Sequence, residues 1–401
     1  VTAAAHDPLR EAKLLLAGRS LRAFCDGFVA ILLPAYLLAL GMGQWQVGVI
    51  STATLLGSAL LTLAVGRWGH RADQRHLLLA ASGLMCATGV LLAGLGDFWP
   101  LLLVAFVGTI NPSSGDVSVF LPLEHARLSA IAQGEARTTL FSRYTFAGAV
   151  FAALGALASG LPDLLGGLGL TRLEALRLMF LGYGLTGVAV FFLYRRLPAA
   201  PAHAAARPMP LGASKGVVYR LAALFAVDAF AGGLVLNTLL ALWLFQRFGM
   251  SLGEAGAFFF WAGLLTAASQ LAAPVVARRI GLLNTMVFTH IPANLALILA
   301  ALSPDLGWTL ALLLLRALLS QMDVPTRAAF VMAVVTPAER AAAASFTAVP
   351  RSLASAASPA LAGALFAAGW LTVPLVACGL LKIAYDLSLW RAFRAIGPVH
   401  S

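Results

Sequence analysis

Apolar runs of about 20 residues, each long enough to cross a bilayer as a helix, recur along the chain with short polar turns between them. Six fall in the first half, at about 23–42, 47–66, 77–95, 100–121, 138–160 and 175–194. Six more follow, at about 219–246, 253–276, 283–302, 308–335, 342–367 and 371–390. Between the sets lies RRLPAAPAHAAARPMPLGASKG, Arg195 to Gly216, whose prolines, alanines and basic residues neither span a membrane nor build a core. The pattern predicts an all-α membrane protein of twelve transmembrane helices: a six-helix bundle over 1–194, a cytoplasmic linker over 195–217 and a second bundle over 218–401.

Composition agrees: 60% of residues are hydrophobic, 11% are charged and the mean hydropathy is +0.89. Residues 1–22 carry Arg10, Lys13, Arg19 and Arg22 but no apolar stretch ending in a small-residue cleavage site, so the first span is expected to stay as a helix. With the N-terminus inside, most Lys and Arg fall at cytoplasmic turns and helix ends, and only Arg172, Arg177 and Arg247 face out. Trp45, Trp99, Trp308 and Trp370 then sit at outer turns as an interfacial belt. Both termini are expected to be cytoplasmic, in a bacterial-type inner membrane. The net charge of +11 is spread over these turns without a basic stripe interleaved with aromatics, which argues against nucleic acid. Cys25, Cys86 and Cys378 lie in apolar runs with no CxxC spacing, and a packing role is expected for all three.

Charges inside the spans repeat between the halves. Asp26 opens helix 1 and Asp228 helix 7; Asp116 lies late in helix 4 and Asp323 late in helix 10; Arg143 and Arg351 lie inside helices 5 and 11. Equal ordering and near-equal spacing imply a duplicated unit, and so two pseudo-symmetric bundles. An ionised group at a helix centre costs roughly 2.5–3.5 kcal/mol, so each of these is expected to be paired or to face water.

The turn GRWGHRADQRHLL concentrates charge between two apolar runs. With twelve spans in two linked repeats, it resembles the Gly-x-Leu-Ala-Asp-Arg-x-Gly-Arg-Arg loop of the major facilitator superfamily of secondary transporters. Gly66, Arg71, Arg75 and Leu78 stand at matching positions, His70 takes the aspartate's place and Asp73 that of the second glycine. VARRIG echoes the loop in the second half through Arg279 and Gly281. The resemblance implies a loop that clamps the halves on the cytoplasmic side in the outward-open state, with Asp73 as replacement carboxylate; a purely topogenic basic loop is the alternative.

The resemblance also places helices 1 and 7 at a central cavity, where Asp26 and Asp228 are candidates for proton coupling; a hydrogen-bonded helix-start carboxylate is the other reading. Asp116 with Arg143 and Asp323 with Arg351 are candidate gate or latch ion pairs. In helix 10, Arg316, Asp323 and Arg327 fall within roughly 20° of one meridian at about 100° per residue, with Pro325 expected to interrupt the helix. Arg316 has no counterpart in helix 4: it either meets an anionic solute or pairs with Asp228 or Asp323. Asn111 and Asn237 are further solute candidates, while His290 and Asn294 are expected to bond between helices. Lys382 and Asp386 have the spacing of an i,i+4 pair. Helix 5 lacks the Gly-Pro signature common in drug–proton antiporters of the superfamily, and Ser358-Pro359 echoes it in helix 11.

No P-loop or HExxH is present, and no soluble domain to house a nucleotide, so no enzyme, cofactor or metal is expected. Glu124, His125 and His76 are expected to be solvated loop residues; a membrane enzyme built on these three, and a non-transporting receptor, are the remote alternatives. The expected function is a monomeric secondary transporter moving a small organic solute by alternating access, coupled to protons and preferring export. Organic-anion uptake by symport or uniport is the alternative.

Overall fold

The computed structural model describes residues 8–69, 72–113, 118–199, 211–212, 214–336 and 339–394. It is 85% helical, with no strand among the described residues. Among the described residues, ten helical stretches are long and apolar enough to cross a membrane. The chain divides into two compact units, Val1–Ala205 with Met250–Phe260, and Ala206–Gly249 with Trp261–Ser401.

The first unit contains α1 (Pro8–Ala39), α2 (Gln44–Trp68), α3 (Gln74–Gly94), α4 (Phe98–Val107), α5 (Phe120–Ile131), α6 (Gly134–Ala158), α7 (Leu161–Gly166) and α8 (Arg172–Tyr194). The second contains α9 (Lys215–Gly233), α10 (Asn237–Phe248), most of α11 (Leu252–Ile280), α12 (Leu282–Leu302), α13 (Leu306–Ser320), α14 (Asp323–Val334), α15 (Arg340–Ala367) and α16 (Val373–Phe393). The same packing scheme occurs in both. In the first, α1 lies against α6 and α8, and α3 against α4, α5 and α8. In the second, α9 lies against α15 and α16, and α12 against α13, α14 and α16. Thus α1, α3, α4, α5, α6 and α8 correspond to α9, α12, α13, α14, α15 and α16.

Three spans expected to be continuous are broken. The fourth ends as α4 at Gly108 and resumes as α5; the tenth divides into α13 and α14 at Gln321 and Met322. A proline removes the N–H that would bond the carbonyl four residues earlier and crowds that carbonyl with its ring. Pro112 acts in this way on Gly108, and Pro325 on Gln321, so the break at Pro325 comes before it rather than after. The seventh span divides into α9 and α10 after Gly232-Gly233, with Leu236 extended at the N-cap of α10. Trp45, Trp99, Trp308 and Trp370 are all exposed.

Close helix approach is written in small residues. A Cβ at Gly27 of α1 would strike the Ala152 carbonyl of α6, and one at Gly155 of α6 would strike the Phe24 carbonyl of α1. At the entry to α15, Glu339 ties down the segment leading into α9. Its carboxylate accepts from the Gly212 N–H, the Ser214 N–H at 3.1 Å and the Thr336 hydroxyl at 2.8 Å. The Ser214 and Gly212 donors, with Thr336, hold its carboxyl down from 4.5 to about 2.

Gly155→Ala is expected to destabilise the protein by about 1–3 kcal/mol through overpacking, whereas Gly83→Ala, with nothing within 4 Å of the new methyl, leaves the melting temperature unchanged. For Glu339, whose folded value lies below its ordinary one, stability is fully present above about pH 4.5 and lost as pH falls toward about 2. The melting-temperature gap between wild type and Glu339→Gln is therefore expected at pH 6 and to close across that window.

Candidate functional site

The interior of the second unit is organised around Asp228 of α9, which is buried. Its Oδ1 lies 2.5 Å from Lys382 Nζ of α16 and its Oδ2 lies 3.0 Å from Arg327 of α14. The other arm of Arg327 reaches Asp323 at 2.5 Å, one turn back on α14, and its guanidinium lies 5.5 Å from the centre of the Phe225 ring. Three helices that are far apart in sequence therefore share one alternating chain of acid and base, Asp323, Arg327, Asp228 and Lys382. Each charge is met by its opposite, as a low-dielectric interior demands.

A second pair lies one turn further along α16. Asp386 is fully buried and its Oδ1 lies 3.0 Å from His290 Nδ1 of α12, while its Oδ2 has no hydrogen-bond partner. The expected i,i+4 pairing of Lys382 with Asp386 is not formed, because Asp228 takes the lysine. Asp323 makes its direct bridge to Arg327, and Arg351 of α15 lies within electrostatic reach of Asp323 and Asp228. His290 bonds across helices as expected, and Asn294 is buried beside it with Nδ2 unpartnered.

Arg316 stands apart. The break before α14 places it on α13, separate from Asp323 and Arg327, so the expected single stripe does not exist. It is half-buried, its Nε lacks a hydrogen-bond partner, and Cys378 of α16 lies within its electrostatic reach. Pairing with Asp228 or Asp323 is not what the structure shows, since Lys382 and Arg327 hold those carboxylates. Asn237 is half-buried at the start of α10.

In the first unit the central acid is Glu124 of α5. It is fully buried and accepts from Arg22 of α1 at 2.5 Å and from the hydroxyls of Tyr144 of α6 and Tyr194 of α8. Arg22 also lies 4.0 Å from the centre of the Phe120 ring. A second buried bridge joins Arg127 to Glu11 at 2.6 Å. The sequence reading placed Glu124 on a solvated turn. Three helices, α1, α6 and α8, instead close over it, and α5 is the helix that carries it inward. Among the described residues no cluster of His, Cys, Asp and Glu could hold a metal ion. His76 is exposed, and His125 packs on Phe141 and Tyr144.

Asp26 is buried on α1, within electrostatic reach of Arg22 and Tyr183. Tyr183 itself bonds Thr109 at 2.8 Å. Asn111 is buried at the break after α4, where its carbonyl accepts from Ser113. Arg143 is exposed on α6, while Asp116, its expected partner, lies outside the described residues. The basic turn shows helix-capping chemistry. Asp73 caps α3 by accepting from the Arg75 N–H at 2.8 Å, and Arg75 donates to the Arg195 carbonyl at the end of α8 at 2.7 Å. Gly66 is exposed on α2, and Arg71 and His70 lie outside the described residues. Arg279 is exposed at the end of α11, and Gly281, at φ 86°, supplies the left-handed backbone that opens α12.

Comparison with known proteins places this architecture. The model of the Major Facilitator Superfamily matches residues 15–320. The chain is 24% identical over 428 aligned residues to the uncharacterized membrane protein YJR124C of Saccharomyces cerevisiae, covering 96% of this chain and 95% of that one. It is similar in fold to the inward-facing, occupied structure of a bacterial homolog of the human lysosomal transporter Spinster. There the TM-score is 0.79 at 16% identity, over 99% of this chain and 100% of that one. The structure of the nucleoside transporter NupG gives 0.73 at 14% identity, over 96% and 99%.

Removing one member of a buried ion pair strands the other. Glu124→Ala is expected to cost about 3–5 kcal/mol by leaving Arg22 without its acid. Arg22→Met combined with Glu124→Leu is expected to recover part of that loss in the melting temperature of the purified protein.

Proposed function

We propose that the chain, which belongs to the Major Facilitator Superfamily and is a multi-pass membrane transporter, is a secondary active transporter. It moves a small organic solute with an anionic group by alternating access, exports it, and couples that movement to protons. The observation that carries the solute class is Arg316. A half-buried guanidinium inside an apolar helix, with its Nε unpartnered, needs a negative partner. Neighbouring carboxylates do not meet that need, because Asp228 and Asp323 are already held by Lys382 and Arg327. An anion that enters from water and binds Arg316 supplies the charge and leaves with it, which is what a transported solute does. Asn111 and Asn237 are further solute contacts in this reading.

Proton coupling is supported by titratable groups buried in apolar helices: Asp26, Asp228, Asp386 and His290. Such groups are costly in a membrane and mark ion or proton pathways. In this scheme residues 1–194 and 218–401 are the two moving bundles of a monomer, and the exposed Arg143 and Arg351 belong to their gates with Asp116 and Asp323. Both termini lie on the cytoplasmic side of a bacterial-type inner membrane, the orientation favoured by the Lys and Arg distribution. Export is the direction adopted because the sequence carries no sugar-porter or other uptake signature.

The test is the melting-temperature shift of the detergent-purified protein against panels of anionic, cationic and neutral organic compounds. A ligand at 100 times its Kd stabilises by about 2.7 kcal/mol. An anion is expected to stabilise wild type and to lose that effect in Arg316→Ala. Stabilisation by cations that is equal in the variant would overturn the anion assignment. The anion found is then loaded into inside-out and right-side-out vesicles, where its direction of movement with an imposed pH gradient is read.

A further inference from the structure

The charges inside the second unit form one balanced set with a single cation outside it. Asp228, Asp323 and Asp386, all buried, are the carboxylates of the set. Arg327 bridges the first two, Lys382 bonds Asp228 and lies within electrostatic reach of Asp386, and Arg351 lies within reach of Asp228 and Asp323. Counted with histidine neutral, three cations answer three carboxylates and the set carries no net charge.

Arg316 of α13 belongs to no such pair. Cys378, a fully buried thiol, lies within its electrostatic reach, and among the described residues no carboxylate does. Its Nε–H is buried and unpartnered. Taken side-on, the Nε–H and a terminal N–H of a guanidinium form a planar fork that fits the two oxygens of one carboxylate. The positions one turn to either side on α13 are Leu312, Leu313, Leu319 and Ser320, which bring no second cation. Lys382, one turn beyond Cys378 on α16, already holds Asp228 at 2.5 Å.

We propose that the solute held at Arg316 carries a single negative charge, that of one carboxylate. This rests on the anion reading above and narrows it by valence. One carboxylate cancels the one unmatched charge and leaves the occupied unit neutral. A dicarboxylate, or a phosphate monoester with its charge of about −1.5 to −2 at neutral pH, brings more negative charge than Arg316 can answer. The excess either stays desolvated without a partner or pulls Lys382 from Asp228, and both are costly in a low-dielectric interior. The balanced set therefore acts as a filter: its cations are occupied, and one guanidinium remains to be met.

The charge count is tested without a ligand, on the purified full-length protein at about pH 8. Arg316→Met removes an unpaired cation and is expected to raise the melting temperature by about 2 °C, whereas Lys382→Met strands Asp228 and is expected to lower it by at least as much. A fall in Arg316→Met like that in Lys382→Met overturns the proposal. Valence is tested with adipate and sebacate, their monomethyl esters and their dimethyl esters, which within each series are nearly equal in size and carry two, one and no charges. At up to about 10 mM, the half-esters are expected to stabilise wild type with midpoints at least about tenfold below those of the diacids, and to lose that effect in Arg316→Met. Diacids that stabilise as well as the half-esters, and only when Arg316 is present, overturn the single charge and leave the anion reading standing. Half-esters without effect, or with an effect that persists in Arg316→Met, refute the anion reading and this proposal with it.

Discussion

Asp228 cannot hold its charge inside an apolar bundle unless cations are brought to it, and the second unit is arranged to bring two. Lys382 is 154 positions away and Arg327 99, so the carboxylate fixes α9 against α14 and α16 at once. Hydrophobic packing in lipid is weakly specific, because a helix face finds tails as congenial as another helix. Buried charge supplies the missing specificity: a helix that slides by one turn leaves an ion stranded. Core side chains such as Phe225, Phe330 and Tyr385 then fill the volume around a framework set by the charges.

Small residues do the complementary work. Gly27 and Gly155 bring the backbones of α1 and α6 close enough for a carbonyl of each to occupy the space of the other's missing side chain. That approach stacks α1 on the bundle so that Arg22 can reach Glu124, Tyr144 and Tyr194 from one position. A packing defect there acts on the ion pair as well, since the charges are held only as tightly as the helices that carry them.

The spans were legible because an apolar run of membrane length has few other readings, and the charged repeat gave the duplication. Breaks within spans were harder to read, since a proline disrupts the carbonyl four residues earlier: Pro325 marks a helix end at Gln321 that sequence inspection puts near the proline itself. Long-range partners were hidden for a different reason. The i,i+4 spacing of Lys382 and Asp386 is visible on one helix, whereas the bond from Lys382 to Asp228 depends on how α9 and α16 pack. Glu124 was read as a solvated turn residue because PLEHARL looks polar on its own. Only the closure of α1, α6 and α8 over α5 makes it the most buried acid of the first unit.

The two units reuse one contact with its members exchanged. In the first, an arginine from α1 lies over Phe120 and bonds Glu124, both on α5. In the second, an arginine from α14, the counterpart of α5, lies over Phe225 and bonds Asp228, both on α9, the counterpart of α1. Duplication thus preserved the meeting of two helices through cation, ring and carboxylate while leaving free which helix carries which. What completes each carboxylate differs more. Glu124 is closed by two tyrosine hydroxyls, which keep their protons throughout the physiological range. Asp228 is closed by a lysine that has a second carboxylate within one turn, itself set against a histidine. The first arrangement closes its acid within one set of partners, whereas the second leaves a further buried carboxylate, Asp386, one turn along α16 from the lysine and set against His290, so the two halves share a contact and differ in what surrounds it.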